Sequence, residues 1–134
     1  MHELVMRIKE PELCYVFARN ANRKGHPELA LQAYRRAVDL RAEKAGANCE
    51  VELAALRAVF AYEEALSFSK GKRTRATGTW QMIGRHGLLP AICKRLHSGT
   101  DAALAQVLKE LGMEDYSFAA VYQAYPDAFG QRAA

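Results

Sequence analysis

The sequence predicts an all-α domain, a compact bundle of six or seven helices that opens with a helical hairpin. Three observations point to it: β-branched residues are sparse, apolar–polar alternation never persists, and Ala, Leu, Glu, Gln and Arg dominate. The 134 residues, half hydrophobic and a quarter charged, suffice for one domain with its own core. Residues 1–68 read as the hairpin plus a central helix, and residues 69–134 as a cationic loop and a C-terminal helical cluster.

The first helix is expected from about Pro11 to Arg23, with Pro11 in a first turn where no N–H is needed and Leu13, Cys14, Phe17 and Ala21 on one stripe. Gly25 ends it, and a second helix runs from Pro27 and Glu28 to about Ala45, with Ala30, Ala33, Ala37 and Leu40 on one face and Leu31, Tyr34 and Val38 beside it. After Gly46, a third helix capped by Asn48 spans about Cys49 to Ser69. Its apolar residues wrap more than one face, which suits the centre of a core. Ser69 to Gly78 is polar, cationic and punctuated by glycine, and reads as an exposed loop that a ligand orders. Short helices follow over Thr79 to Arg85 and Leu89 to His97, the second closed by Ser98 and Gly99. Another, capped by Thr100, reaches Leu111, with Gly112 in the left-handed position beyond it. A last helix is expected from about Asp115 to Tyr125, ended by Pro126.

No apolar run nears the roughly 18–20 residues that a membrane helix needs. Glu3, Arg7, Lys9 and Glu10 interrupt the continuous apolar stretch of a signal peptide, so a cytoplasmic protein without membrane insertion is expected. Cys14, Cys49 and Cys93 are odd in number and widely spaced, as befits reduced and mostly buried thiols.

Charge is distributed unevenly. Residues 1–64 carry ten basic and ten acidic side chains, residues 101–134 two and five, whereas residues 65–100 carry seven basic side chains and no acid. A segregated cationic segment favours a polyanion, because clustered Lys and Arg release the counterions of a phosphate backbone. Lys70, Lys72, Arg73 and Arg75, interleaved with Gly71 and Thr74, offer charge-assisted contacts to phosphate oxygens. Arg85, His86, Lys94 and Arg95 extend the track. Thr77 and Gln81 project away from the face of Trp80, and Gln and Arg are the side chains able to contact purine edges bidentately. Trp80 shares a side with Ile83 and Gly87 and is expected to anchor its helix against the core, stacking on a base being the alternative. The two short helices hinged at Gly87 suggest a noncanonical cationic pair more than a regular helix-turn-helix, since Ile83 stands where that motif takes a small residue.

Catalytic patterns are weak. Glu63 and Glu64 beside the cations invite a metal-dependent nuclease reading, but adjacent helical positions diverge, and Glu63 is expected on a charged face or paired with Arg57 or the basic loop. Cys93 and His97, four apart, give one edge of a zinc site, but two further ligands are needed, His86 is the one near candidate and Cys14 and Cys49 are remote, so Cys93 is expected in the core. No P-loop, Rossmann or nucleophile-elbow pattern is present, and no cofactor is implied.

Residues 12–41 resemble a single tetratricopeptide-type hairpin, with Gly25 between the helices, Ala30, Tyr34 and Ala37 in the second and Ala18 in the first. Ala42 replaces the closing proline and no second copy follows, so the likeness implies a close-packed helix pair rather than a solenoid. From Tyr62 to Phe129 the chain resembles an all-helical module of uncharacterised bacterial proteins. The likeness is carried by Tyr62, Glu63 and Glu64, by the segment from Gly71 through Arg73, Thr74, Arg75, Ala76, Thr79, Trp80, Gln81, Met82, Ile83, Arg85 and His86 to Gly87, and by Leu111, Gly112, Met113, Glu114, Asp115, Phe118, Pro126 and Phe129. That resemblance implies architecture and no catalytic activity. The expectation is a nonenzymatic nucleic-acid-binding module, DNA favoured over RNA. The alternative is an adaptor whose hairpin groove and basic loop receive an acidic protein partner.

Overall fold

The computed structural model describes residues 2–98 and 102–133, and among them there are nine α-helices and no strand. Seven correspond to expected helices, and two short ones lie at the chain ends. The first, α1 (Glu3–Met6), is capped by the His2 ring, which accepts the Leu4 N–H at 3.1 Å. It buries Val5 completely, and Arg36 holds the following turn by donating to the Ile8 carbonyl.

Helices α2 (Pro11–Arg23) and α3 (Pro27–Lys44) form the hairpin. Ala18, Ala21, Ala30 and Ala33 make up the contact, and side chains this small let the two backbones approach closely. Leu13 does not join that interface. It is 55% exposed, because the spacing i, i+4, i+7 of Cys14, Ala18 and Ala21 sets the buried stripe and leaves Leu13 a hundred degrees round the helix.

Helix α4 (Glu50–Lys70) is the central element, and its N-cap is Cys49 rather than Asn48. No side chain caps it in the ordinary sense. Instead the Glu52 carboxylate reaches back to accept the N–H of Asn48, one residue before the cap, at 3.1 Å. One side of α4 gives Ala55, Ala58 and Val59 to the largest core cluster, and another gives Ala61 and Ala65 to a second. The core is thus built around it, as its wrapped apolar pattern foretold.

Beyond α4, the chain continues through α5 (Thr77–His86), α6 (Leu88–Ser98) and α7 (Ala102–Glu110). The expected closing Gly99 and the cap Thr100 lie outside the described residues. Gly87 links α5 to α6 at φ +92°, a backbone conformation that other residues rarely adopt, so glycine turns the chain here without strain. Trp80 and Ile83 of α5 and Leu89, Ile92 and Leu96 of α6 pack into the largest cluster.

The last predicted helix is divided. Glu114–Tyr116 form a 3-10 turn, and the Ser117 hydroxyl accepts the Ala120 N–H at 3.1 Å to start α8 (Phe118–Ala124). A serine oxygen that caps from Ncap cannot also sit inside a continuous helix. Pro126 ends α8 and also opens α9 (Pro126–Ala133), at the first-turn position where a missing N–H is harmless. Helix α9 delivers Phe129, fully buried, against Tyr122 in the largest cluster.

A polar staple ties α3 to this region. Arg35 grips Asp115 with two hydrogen bonds of 2.8 and 2.6 Å and lays its guanidinium 4.2 Å from the Tyr116 ring centroid. The Tyr116 hydroxyl donates to Asp39, which also pairs with Arg57 at 3.5 Å. The Arg35 hydrogen bonds hold the Asp115 carboxyl below its ordinary range, outweighing partial burial, while burial and the Asp39 bond push the Tyr116 phenol up.

Two outcomes are expected. Phe129→Ala should lower the unfolding free energy in urea by about 3–5 kcal/mol, marking α9 as core rather than tail. The Asp115 contribution is present above the ordinary carboxyl value of 3.8 and is lost as pH falls through the lower folded value. Stability of Asp115→Asn should therefore fall less steeply in acid than that of wild type, the two curves converging below that pH.

Candidate nucleic-acid interface

The acid-free segment begins where α4 ends. Gly71, in the left-handed region at φ +70°, caps α4 and turns the chain back along it. The loop that follows is braced from within the protein, not left for a ligand to order. Ser67, buried on α4, donates its hydroxyl hydrogen to the Glu63 carbonyl at 2.8 Å and accepts the Thr74 N–H at 2.9 Å. The Thr74 hydroxyl donates to the Lys72 carbonyl at 2.9 Å, so this side chain closes the turn on itself.

Two adjacent carboxylates complete the brace. Glu64, 1% exposed, accepts two hydrogen bonds from the Arg73 guanidinium at 2.8 and 3.2 Å and one from the Tyr15 hydroxyl at 3.0 Å. Arg73 also lies 4.2 Å from the Tyr15 ring centroid, and Arg41 donates to the Tyr15 oxygen at 3.1 Å. Burial disfavours the Arg73 charge, but the bonds and charge of Glu64 prevail and raise its pKa. Burial and the same carboxylate raise that of Tyr15. Glu63 points elsewhere, accepting the Ala76 N–H and the Trp80 indole N–H at 2.8 Å each. It pairs with neither Arg57, which belongs to Asp39, nor a loop cation. Trp80 is half-buried against Phe60 at 5.2 Å, an anchor of α5 as its position implied, and Arg75 covers its ring at 5.6 Å.

These contacts sort the expected site residues. Lys70, Lys72 and Arg75 are exposed along the braced loop, while Arg73 is half-exposed and committed to Glu64. Thr77, Gln81 and Arg85, each four residues from the next, form an exposed stripe of α5, with His86 at its end. Lys94 is exposed on α6, but Arg95 is half-buried, stacked 4.9 Å from the Tyr62 ring centroid and donating to the Tyr62 hydroxyl. Tyr62 and Glu64 are two positions apart on α4, roughly 200° around it. Arg95 and Arg73 therefore sit on opposite sides of that helix, and the segment presents two cationic areas rather than one continuous track. The His97 ring donates to the Cys93 carbonyl at 2.7 Å, and no group of three metal-ligating side chains exists among the described residues.

Sequence reasoning missed what the loop faces. An open cleft of about 750 Å³ lies between the loop and the hairpin, lined by Glu12, Tyr15, Val16 and Arg19 of α2, Tyr34 of α3, and Ser67, Phe68 and Lys72. These residues are dispersed over some sixty positions, and the one local signal was an aromatic, Phe68, placed where α4 runs out into a polar loop. Among the described residues no helix is long and apolar enough to cross a membrane. No known protein family, curated protein or solved structure matches the chain.

Glu63→Ala should free Ala76 and the Trp80 indole together. Limited trypsin digestion is expected to cut after Lys70, Lys72 or Arg75 severalfold faster in this variant than in wild type, with a loss of about 2 kcal/mol in stability. Equal cleavage rates would show that the loop is held by other means.

Proposed function

We propose that this chain is a nonenzymatic nucleic-acid-binding module that holds phosphates on its braced cationic loop and along α5. The observation that supports this reading is a division of labour among the cations. Arg73 is spent on Glu64 and Arg95 on Tyr62, whereas Lys70, Lys72, Arg75, Arg85 and Lys94 are exposed and form no ion pair among the described residues. A merely solubilising loop gains nothing from being fixed, and fixing a backbone costs about 1–2 kcal/mol per residue. Binding a charged polymer does gain from it, since cations already in place lose less entropy on association.

The acids near the loop fit a binding role better than a hydrolytic one. Both Glu64 oxygens accept from Arg73, one of them also from Tyr15, and Glu63 Oε2 accepts from Ala76 and Trp80, so three of the four oxygens that a metal-dependent nuclease would turn toward magnesium already hold protein donors. Phosphate contacts from lysines position a protein without reading sequence, whereas Gln81 and Arg85, on their exposed stripe, carry chemistry for base edges.

Titration with duplex DNA at two salt concentrations tests this. Contacts to about five phosphates give a logarithmic salt slope near −4.5. Replacing Lys70, Lys72 and Arg75 by Ala, with Arg73 kept for its structural role, should weaken binding at low salt and flatten the slope by roughly 3. Tight binding that ignores the triple change places the interface elsewhere, and no binding to any nucleic acid at low salt refutes the reading.

A further inference from the structure

The cleft between hairpin and loop has the chemistry of a stacking site. Its volume, about 750 Å³, falls in the range that encloses a small ligand. Two of its lining apolar side chains remain open to solvent, Phe68 at 44% and Val16 at 41%. Phe68 is nonetheless held in place, in a T-shaped contact with Tyr34 at 4.9 Å between ring centroids and 87° between planes. Tyr34 in turn leans on Tyr15 at 6.3 Å, and Tyr15 is fixed by Glu64 and Arg41. A preset aromatic ring with uncovered surface is what a base stacks on, and its immobility keeps the entropic cost small.

Charge frames this platform unevenly. Arg19 and Lys72 line the cleft with no ion pair among the described residues, while the charge of Arg73 is balanced by Glu64. Glu12 lies seven residues before Arg19, on the same face of α2 and about 10 Å away along its axis. That carboxylate makes one end of the cleft unfavourable for phosphate and leaves the Arg19 end for it, with Lys72 supplying a second cation from the loop side of the lining. Continuing outward from Lys72, the loop presents Lys70 and Arg75.

We propose that the cleft receives an unstacked base of a single-stranded nucleic acid, on Phe68 and Tyr34, with the adjoining phosphate at Arg19 and Lys72. This rests on the nucleic-acid reading above and gives it a substrate class. A duplex keeps its bases stacked inside and cannot place one on Phe68, whereas a single strand carries a flat ring and a negative charge in every residue. An acidic peptide supplies the charge without the ring.

The experiment is fluorescence anisotropy with a labelled single-stranded oligonucleotide, as DNA and as RNA of the same sequence, beside the matching duplex. Phe68→Leu keeps apolar bulk but removes the ring, and Arg19→Ala alters an exposed side chain, so both variants should fold, as circular dichroism will verify. Phe68→Leu should weaken the single strand by about fivefold or more, in line with the loss of one stacked base, and leave the duplex within about twofold. Phe68→Trp should restore the affinity, and Arg19→Ala should reduce the single-strand salt slope by about 0.7. Whichever of DNA and RNA shows the larger Phe68 dependence is the source. Single-strand binding that ignores Phe68 while still requiring Lys70, Lys72 and Arg75 overturns the cleft proposal and leaves the phosphate reading standing. Failure to bind any nucleic acid overturns both, and so does Phe68-dependent capture of polyglutamate in its place.

Discussion

Two neighbouring carboxylates on the central helix govern the organisation of this domain. A buried carboxylate is tolerated only when its oxygens are satisfied, and the partners of Glu63 and Glu64 come from three separate stretches of chain. Because successive helical residues point about 100° apart, Glu64 addresses the hairpin and the loop, through Tyr15 and Arg73, while Glu63 addresses the start of α5, through Ala76 and Trp80. The hairpin, the loop and the C-terminal cluster are thereby referred to one point on α4. Ser67, one turn further on, adds the third tie.

Much of the architecture was legible in the sequence because it depends on local rules. Pro11 and Pro27 mark helix starts, the glycines at 25, 46, 71, 87 and 112 all adopt positive φ at helix ends, and the alanine spacing of the hairpin is its packing face. The departures arise where a local signal has two meanings. Pro126 both stops one helix and starts another, Ser117 acts as a cap within what looked like continuous helix, and Leu13 follows an apolar pattern that the alanine stripe displaces.

The candidate site was less legible, for a different physical reason. Composition shows that residues 65–100 lack acids, but not that Glu63 and Glu64, immediately before that stretch, turn inward to meet it. Counting charges treats Arg73 and Lys72 alike. Their environments do not: one guanidinium is consumed by a buried carboxylate and an aromatic ring, the other cation is open to solvent. Likewise Arg19, Tyr34 and Phe68 share a cleft only because the hairpin folds beside the end of α4.

The cluster of Tyr15, Arg41, Glu64 and Arg73 has a bearing on how such a domain can diverge. Losing the carboxylate leaves the Tyr15 phenol without its acceptor, and losing Arg73 or Tyr15 leaves a carboxylate that is 1% exposed with fewer donors. Drift at one of these four positions is therefore penalised until the others follow, and lineages that abandon the arrangement should do so wholesale, exchanging the polar set for an apolar one in a few linked steps.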